Sequence, residues 1–599
     1  MQSPALPFEE DHLRRHFVRL AAALAAACIL AAPVAELAQA EPAPPSRGVE
    51  VQPELAEGLP IALVHVHLLE STGNTEQDEA LKRNAASALG LQRGGTFRRL
   101  PAQLALNRVR ELPGIESAEL RLFQTVPSGR VAVALLVAPA AEGAAAAREP
   151  KGMLATRELG DFPTIYEDDR AKLVFILNGG AGIFSDTDPW FGGFGEEFNA
   201  NSPIADDPLG AGTSTWFEAY VEPGIGGISQ LYDYPLYAYG AVTYSMSGTA
   251  GHDIYNSGTR GYGDFEKLYA GLIWDWPGRD ALVDASVGRQ VYQLRDGFLL
   301  SKVPVSTSVG ERSALYLGPR LTSENTVLVR ARASDFGLDA FMIEPSELDV
   351  IRTNTRLAGI NLQYQLAHAE VAFTYFYLPE SDSVYRVPGG IRLPREGLRT
   401  YNPSLSLKQP FGVAGAWVKA EYAYQDHDDF DMSAQAGYVW FGYELQQSGW
   451  RPTLSYRWSK FSGDDPDTAT FERFDPLFSG GLGNFLPGIV FSKAYKNANL
   501  VTNRATLSVK PNPTLEFVLD YFHHRADELN NLGGIGPLQT LASRDIGQEV
   551  TLTAYHYIGT HLFLQGIASA GMPGKALDLA LGGDADNWYT LQLALYVFF

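Results

Sequence analysis

Only one cluster of acidic and histidine residues in the sequence is a candidate for catalysis. Asp520, His523 and His524 lie close together, and Asp520 and His524 would share one face of a strand. A hydrolase needs such an acid and base beside a nucleophile, and the G-x-S-x-G context that supplies a nucleophilic serine does not accompany them. We therefore interpret these residues as part of a strand end and expect no enzyme activity.

Metal-ligand patterns are also incomplete. His65 and His67 would lie on one face of a strand, but the sequence offers no evident third ligand. The acidic runs 464–467 and 584–586 lack the glycine and glutamate frame of a calcium hand, so they are interpreted as solvated loops. We therefore expect the protein to use no metal ion or other cofactor.

Basic side chains form the more informative group, because several alternate with apolar residues. In the segment from Val327 to Ala333, valines and alanines alternate with Arg330 and Arg332. Facing lipid near the midplane would cost an Arg or Lys roughly 2–4 kcal/mol, so such cations are expected to face a polar lumen. The candidate lumen cations are Arg289, Arg295, Arg330, Arg332, Arg352, Arg356, Lys419, Arg457 and Arg504.

Two outcomes are open for these cations. If they converge, they make a locally positive pore that attracts anions, because a low-dielectric wall strengthens each charge. Alternatively they pair with lumen carboxylates such as Asp339, Glu421 and Asp520. The choice between the two decides whether the pore selects anions.

The element that must position these side chains is clearest at the C-terminus, residues 589–599. Its odd positions are apolar, whereas Thr590 and Gln592 are polar, which predicts a strand with one face in lipid and the other facing the pore. A final strand of this kind is typical of outer-membrane barrels, where lipid and the barrel-assembly machinery would contact it. The lipid-facing residues of this barrel-closing strand are Leu591, Leu593, Leu595, Val597 and Phe599.

The N-terminus predicts export. Basic residues at Arg14, Arg15 and Arg19 precede an apolar run, and an A-x-A pattern ends at Ala40, so residues 1–40 are interpreted as a signal peptide. Cys28, the only cysteine, would leave with it, and no disulfide is expected. The net charge of −22 argues against nucleic acid as a partner.

A small domain is predicted at residues 49–140, after a linker at 41–48. Its order is strand, two helices and a hairpin, with the second helix joined to the second strand by "RVRELPGIESAELRL", residues 108–122. This order and junction resemble a polypeptide-transport-associated (POTRA) domain, which implies a periplasmic location and a possible protein partner there. An unrelated α+β domain of the same order is the alternative.

A barrel is predicted at residues 172–599, after a second linker at 141–171. Alternating segments recur between Gly, Pro, Asp and Asn clusters, and about 16 to 18 strands fit. The fold class is therefore an all-β transmembrane antiparallel barrel preceded by a small α+β domain.

Four motifs carry a resemblance to a known family: "GRQVYQLRDGF" at 288–298, "FERFDPLFSGG" at 471–481, "DIGQEVTLTAYHYIGTHLFLQG" at 545–566 and the closing "NWYTLQLALYVFF". They resemble the alginate export family of outer-membrane porins. The resemblance implies a single-chain barrel, with 18 as the preferred number of strands. It also implies passive export or conduction of an anionic polysaccharide, or other anionic solute, through an arginine-lined lumen.

The POTRA-like domain departs from that family, whose barrel follows soon after the signal. It motivates an alternative, a protein-secretion pore of the two-partner type. Thr259-Arg-Gly-Tyr262 is similar to the loop-tip motif of that class, but it lies early in the barrel, whereas in that class the motif lies late.

Overall fold

The computed structural model describes residues 49–50, most of residues 56–139, residues 163–191 apart from 168–169, and residues 205–598 apart from short gaps, the longest at 277–280 and 303–308. The predicted signal peptide, both linkers' central parts and Phe599 lie outside the described residues. No helix among the described residues combines the length and apolar content that crossing a membrane requires.

The N-terminal residues fold as a sheet backed by helices. Its elements are β1 (Val49–Glu50), β2 (Ile61–Leu68), α1 (Thr75–Leu89), β3 (Ile115–Gln124) and β4 (Val131–Pro139). The described residues of the second predicted helix, 102, 105–106 and 109–110, are helical. The strand order is β1-β3-β4-β2, with β2 parallel to β4 and at the sheet edge.

One face of this sheet buries an apolar core. Leu135 and Val137 of β4 alternate inward and contact Leu81, Ala85 and other apolar residues of the helices. The predicted strand–helix–helix–hairpin order is therefore present, and period-two and period-3.6 apolar patterns account for it.

The rest of the chain closes into an antiparallel barrel. Ten of its strands come before residue 410: β6 (Ala171–Thr187), β7 (Thr213–Gln230), β8 (Leu236–Ala250), β9 (Arg260–Trp276), β10 (Ala281–Arg289), β11 (Asn325–Ala333), β12 (Phe336–Glu344), β13 (Arg356–Gln365), β14 (Ala369–Glu380) and, after a loop hairpin, β17 (Leu398–Lys408). The remaining strands are β18 (Ala416–His427), β19 (Ala434–Glu444), β20 (Thr453–Phe461), β21 (Leu500–Asn512), β22 (Leu515–Ala526), β23 (Asp545–Ile558), β24 (Leu562–Pro573) and β25 (Trp588–Phe598).

These strands, β6 to β14 and β17 to β25, make an 18-stranded barrel, which confirms the preferred strand number. The barrel closes where β25 pairs antiparallel with β6. A short strand, β5 (Thr164–Glu167), extends the wall beside β6, and β15 (Val384–Arg386) and β16 (Arg392–Pro394) form the separate hairpin.

Side chains alternate between the two faces of the wall. Large apolar residues such as Phe217, Leu272 and Leu454 are exposed on the outside, as a lipid-facing band requires. Polar residues of other wall strands, including Thr374 of β14 and Asn402 of β17, are fully buried on the inside. Closure leaves no unpaired strand edge, which is what allows such a sheet to lie in lipid.

The two ends of the barrel differ. Both termini of the wall and the short turns lie at one end, and the long connections lie at the other, which we call the long-loop end. Two long connections fold into the lumen in their described parts: residues 290–324 apart from 303–308, the first inner loop, and residues 462–499 apart from 481–482, the second inner loop. Phe298 of the first packs against Phe485 of the second and Tyr438 of the wall, so an apolar core fills part of the lumen.

Candidate functional site: the loop-lined lumen

Several predicted lumen cations lie in the lumen, but carboxylates of the wall neutralise them. Arg330 donates from Nε to Asp284 at 2.8 Å, and Arg332 lies 2.6 Å from Asp339. Arg504 holds Asp520 through two hydrogen bonds of 2.8 and 2.9 Å. This is the pairing alternative raised by the sequence, and it removes these cations as free anion ligands.

Arg295 anchors the first inner loop to the wall strands β13, β14 and β18. Its guanidinium donates to Asn361 and Thr374 at 2.8 and 2.9 Å and to Glu421 at 2.8 Å. The next residue, Asp296, accepts from Lys419 at 2.8 Å. Two adjacent loop residues of opposite charge, Arg295 and Asp296, therefore form ion pairs with Glu421 and Lys419 of β18.

Arg457 and Arg504 anchor the second inner loop. Both donate to the backbone carbonyl of Asn484, at 2.6 and 3.1 Å. The Arg457 guanidinium also lies 4.3 Å from the centre of the Phe485 ring, which adds a cation–π contact. These cations hold protein rather than solute.

Three other predicted lumen cations lie elsewhere, and their assignment needs correction. Arg352 is an exposed loop residue beside Asp349, because β13 begins only at residue 356. Arg356 lies on the same side of β13 as the exposed Ile360 and pairs with two glutamates at the strand end. Arg289 ends β10, where it pairs with acidic residues on either side, Asp264 and Glu324.

Buried glutamates of the wall bind the backbone of the inner loops. Glu218 accepts from the amides of residues 316 and 317, and Glu266 from those of 321 and 322, at 2.6–3.0 Å. Glu549 accepts from three amides, at residues 489, 490 and 491, at 2.6–3.1 Å. The two loops are therefore fixed to the wall by charge-assisted hydrogen bonds.

Both inner loops also meet at the joint between the first and last barrel strands. Asp186 of β6 accepts from the Trp588 indole of β25 at 2.5 Å and from the Tyr316 hydroxyl of the first inner loop at 2.5 Å. Lys493 of the second inner loop lies 3.4 Å from the same carboxylate, and Thr590 also donates to it. One buried carboxylate thus connects four segments of the chain.

A cavity of about 1600 Å³ remains between the inner loops, the other long connections and the wall. Wall residues Gln565, Ile567, Gln592 and Tyr596 line it beside the β24–β25 pair. Its charged lining is mostly basic, with the carboxylates Glu347 and Asp475 against the cations Lys302, Arg386, Arg395, Arg473, Lys493 and Lys496.

Two of these cations are already compensated. Arg395 holds Asp475 through bonds of 2.6 and 2.8 Å, and the Arg395 charge helps to lower the pKa of Asp475 to about 2 against the opposing effect of burial. Lys493 faces Asp186. The remaining charges of the lining are therefore strongly positive in sum.

Arg473 and Lys496 are the cations that matter most for solute. Within the described residues neither makes a hydrogen bond or ion pair through its side chain. Burial is the largest effect and lowers the pKa of both groups, and the neighbouring Arg395 charge lowers it further, while the charge of Asp475 opposes the shift. Lys496 is solvent-exposed although protein surrounds it, as expected for a side chain that projects into an internal open space.

Sequence reasoning missed this group. It selected cations on alternating strands, whereas these lie in loops that return into the lumen. Arg473 does stand inside "FERFDPLFSGG", where Phe471, Phe474 and Phe478 are buried. An apolar, aromatic run in a long connection is the signal that could have indicated a lumen segment, since an exposed loop has no use for three buried phenylalanines.

The other sequence candidates form no reactive group. Asp520 accepts hydrogen bonds from Arg504, whereas His524 Nδ1 shares a hydrogen bond with the Thr502 hydroxyl. The carboxylate and the imidazole therefore have different partners. The rings of His65 and His67 lie 6.5 Å apart. Among the described residues no group of three or more His, Cys, Asp or Glu is placed to hold a metal ion.

The closing strand has the predicted alternation. Leu593 and Leu595 are 41% and 39% exposed on the outside, whereas Thr590 is fully buried. Leu591 and Val597 are half-buried on the same side as the exposed leucines. Gln592 lines the cavity. The strand therefore carries the lipid contact and one side of the open lumen together.

Comparison with known proteins identifies a family for most of the barrel. The family model described as "Alginate export" matches residues 257–587, which is more than half of the chain. No similar protein was found among curated sequences.

Solved structures with a similar barrel share little sequence with this chain. A BenF-like porin from Pseudomonas fluorescens is 12% identical, with 71% of this chain and 98% of the porin covered and a TM-score of 0.44. The outer membrane protein opdK from Pseudomonas aeruginosa is 10% identical, with 72% and 98% covered and a TM-score of 0.44.

Proposed function

Because the chain belongs to the alginate export family, as the match over residues 257–587 shows, we propose that this outer-membrane channel carries an anionic polysaccharide or other anionic solute. Transport is passive and uses the loop-lined cavity as its selective part. The long-loop end faces the exterior, as is usual for outer-membrane barrels, and the short turns face the periplasm.

The observation that carries this proposal is the charge of the cavity lining. Six cations face two carboxylates there, and Arg473 and Lys496 lack a partner among the described residues. Like charges held together in a low-dielectric surrounding create a positive potential that an anion relieves.

The hydroxyl and amide groups of the lining suit a hydrated, sugar-like solute. Tyr385, Asn497 and Gln592 line the same space as the cations, and ring faces of Tyr255 and Phe471 accompany them. Polar groups replace lost hydration, while aromatic faces contact sugar rings. The path therefore fits a solute that is both anionic and hydroxylated.

The N-terminal domain is proposed to lie in the periplasm and to bind a protein partner there, as a POTRA-like domain would. Support comes from its strand–helix–helix–hairpin order and from β2, an edge strand that an extended peptide could join. The two-partner secretion alternative is not favoured, because the family match covers most of the barrel. Arg260 of its suggested motif pairs with Asp253 at the start of β9 instead of standing free at a loop tip.

The test is the reversal potential of single channels in planar bilayers under a salt gradient. The wild-type channel should prefer anions, and the variant Arg473→Gln/Lys496→Gln should lose at least about half of the anion-to-cation permeability ratio, since two uncompensated charges leave a narrow lumen. Block of the current by an added polyuronate should weaken in parallel.

Arg352→Gln is the matched control, because Arg352 is exposed and paired with Asp349 and, unlike its neighbours Ile351 and Thr353, does not line the cavity. Its permeability ratio should equal that of the wild type. A wild-type channel that prefers cations, or a double variant with unchanged selectivity, would refute the anion path.

A further inference from the structure

Asp475 is one of the two carboxylates that line the mostly basic cavity. Its side chain binds neighbouring protein groups and does not act simply as a negative charge facing the cavity. Its carboxylate accepts two bonds from Arg395, one from the Tyr385 hydroxyl at 2.8 Å and one from the Leu477 amide at 2.7 Å. The side chain is 2% exposed. All four bonds are directed at protein, so little of this charge reaches a solute.

The backbone of Asp475 is held just as firmly. Gln425 of β18, fully buried, accepts from the Asp475 amide at 2.8 Å and donates to the Asp475 carbonyl at 2.9 Å. A side-chain amide thus imitates a neighbouring strand and attaches one residue of the second inner loop to the wall. Residue 475 is therefore the point where β18, the loop that carries the β15–β16 hairpin and the second inner loop are joined.

Arg473 lies two residues before this junction. Its neighbours Phe471 and Phe474 are 5% and 0% exposed in the lumen core, and they prevent the segment from sliding. With residue 475 attached to the wall and these rings packed, the backbone at Arg473 has little freedom. The guanidinium is consequently held near Arg395 and Lys496, although all three carry the same charge.

We infer that Asp475 and Gln425 are positioning residues for anion selectivity: they hold Arg473 and Arg395 against their mutual repulsion at the cavity lining. This inference rests on the proposed function and deepens it, because it assigns the selective charge to an arrangement and not to a charge count. It gives an expectation of unusual sign, namely that removing a negative charge here makes the channel less selective for anions.

Three variants of the full-length protein test the inference by reversal potential in planar bilayers. Asp475→Asn should lower the anion-to-cation permeability ratio, although it removes a negative charge. Gln425→Leu, which changes no charge, should lower the ratio as well. Glu347→Gln, which removes the other carboxylate of the lining, should raise the ratio, because Glu347 makes no ion pair among the described residues.

A rise of the ratio in Asp475→Asn equal to that in Glu347→Gln overturns the inference, whatever Gln425→Leu does, because the charge count would then suffice. An unchanged ratio in Gln425→Leu also overturns the part assigned to Gln425. Conducting single channels of wild-type size show that each variant has folded, and Arg395→Lys, which keeps the charge, should partly retain selectivity when Asp475 is present.

The result also separates this inference from the proposed function. If Arg473→Gln leaves selectivity unchanged, the anion path itself fails and the inference falls with it. If Arg473→Gln lowers the ratio while Asp475→Asn raises it, the anion path stands and only the positioning role is lost.

Discussion

Arg330 and Arg473 are both arginines of the lumen, but their surroundings give them opposite roles. Arg330 is paired with Asp284, and the pair contributes to the wall. Arg473 has no such partner among the described residues and faces the open cavity. At this scale, the number of cations that face inward matters less than which of them form an ion pair: Arg473 forms none among the described residues, although the charges of Asp475 and Asp464 act on it.

The charge of Lys496 should make selectivity depend on pH. Burial and the nearby Arg473 and Arg395 charges lower its pKa from the usual value of 10.5, so the ammonium group loses its proton at a lower pH than an ordinary lysine. The anion preference should therefore be highest at neutral pH and fall as the pH rises towards about 10.

Reversal potentials measured across this pH range check the prediction. Lys496→Arg, whose charge persists, should show a flatter dependence. An equal decline in both proteins would mean that another group titrates.

At the scale of elements, the wall was predictable and the inner loops were not. Alternation of apolar and polar residues identified strands such as Asn325–Ala333 and the final strand, and it assigned their faces, because lipid imposes a period of two on every wall strand. A loop that returns into the lumen obeys no such period. Its position depends on distant contacts, such as that of Arg295 with Glu421, which lie far apart in sequence.

The Arg295–Glu421 contact should hold the first inner loop in the lumen. Glu421→Arg places two cations together in a buried site, and breaking a buried pair costs about 3–5 kcal/mol, so the loop should leave its position. Single-channel conductance and proteolytic cleavage within residues 290–324 should both increase.

Reversing the pair, with Arg295→Glu added to Glu421→Arg, should restore much of the wild-type conductance. An unchanged cleavage rate in the single variant would show that the glutamate contacts at residues 316–322 suffice to hold the loop.

At the scale of the whole molecule, successive residues of the closing strand face different surroundings, one facing lipid and the next facing the lumen. Leu593 is 41% exposed on the outside, whereas the neighbouring Gln592 lines the cavity. Leu593→Arg should lower the free energy of unfolding in lipid vesicles by roughly 2–4 kcal/mol, the cost of an arginine against hydrocarbon.

Gln592→Arg is the matched control, since it adds the same side chain on the other face. It should leave the urea midpoint of unfolding nearly unchanged and should strengthen anion preference. Similar destabilisation by both substitutions would contradict the assigned faces of the closing strand.

The contacts around Asp186 have a consequence for the order in which parts of the protein fold. The Asp186 carboxylate belongs to the first full strand of the barrel, while Trp588 and Thr590 belong to the last. Tyr316 and Lys493 lie between these two strands in the sequence. Their common binding site around Asp186 is complete only when β6 and β25 have paired. Strand β25 therefore completes a binding site for loop segments that precede it in the sequence, so that packing of the inner loops and closure of the barrel are coupled.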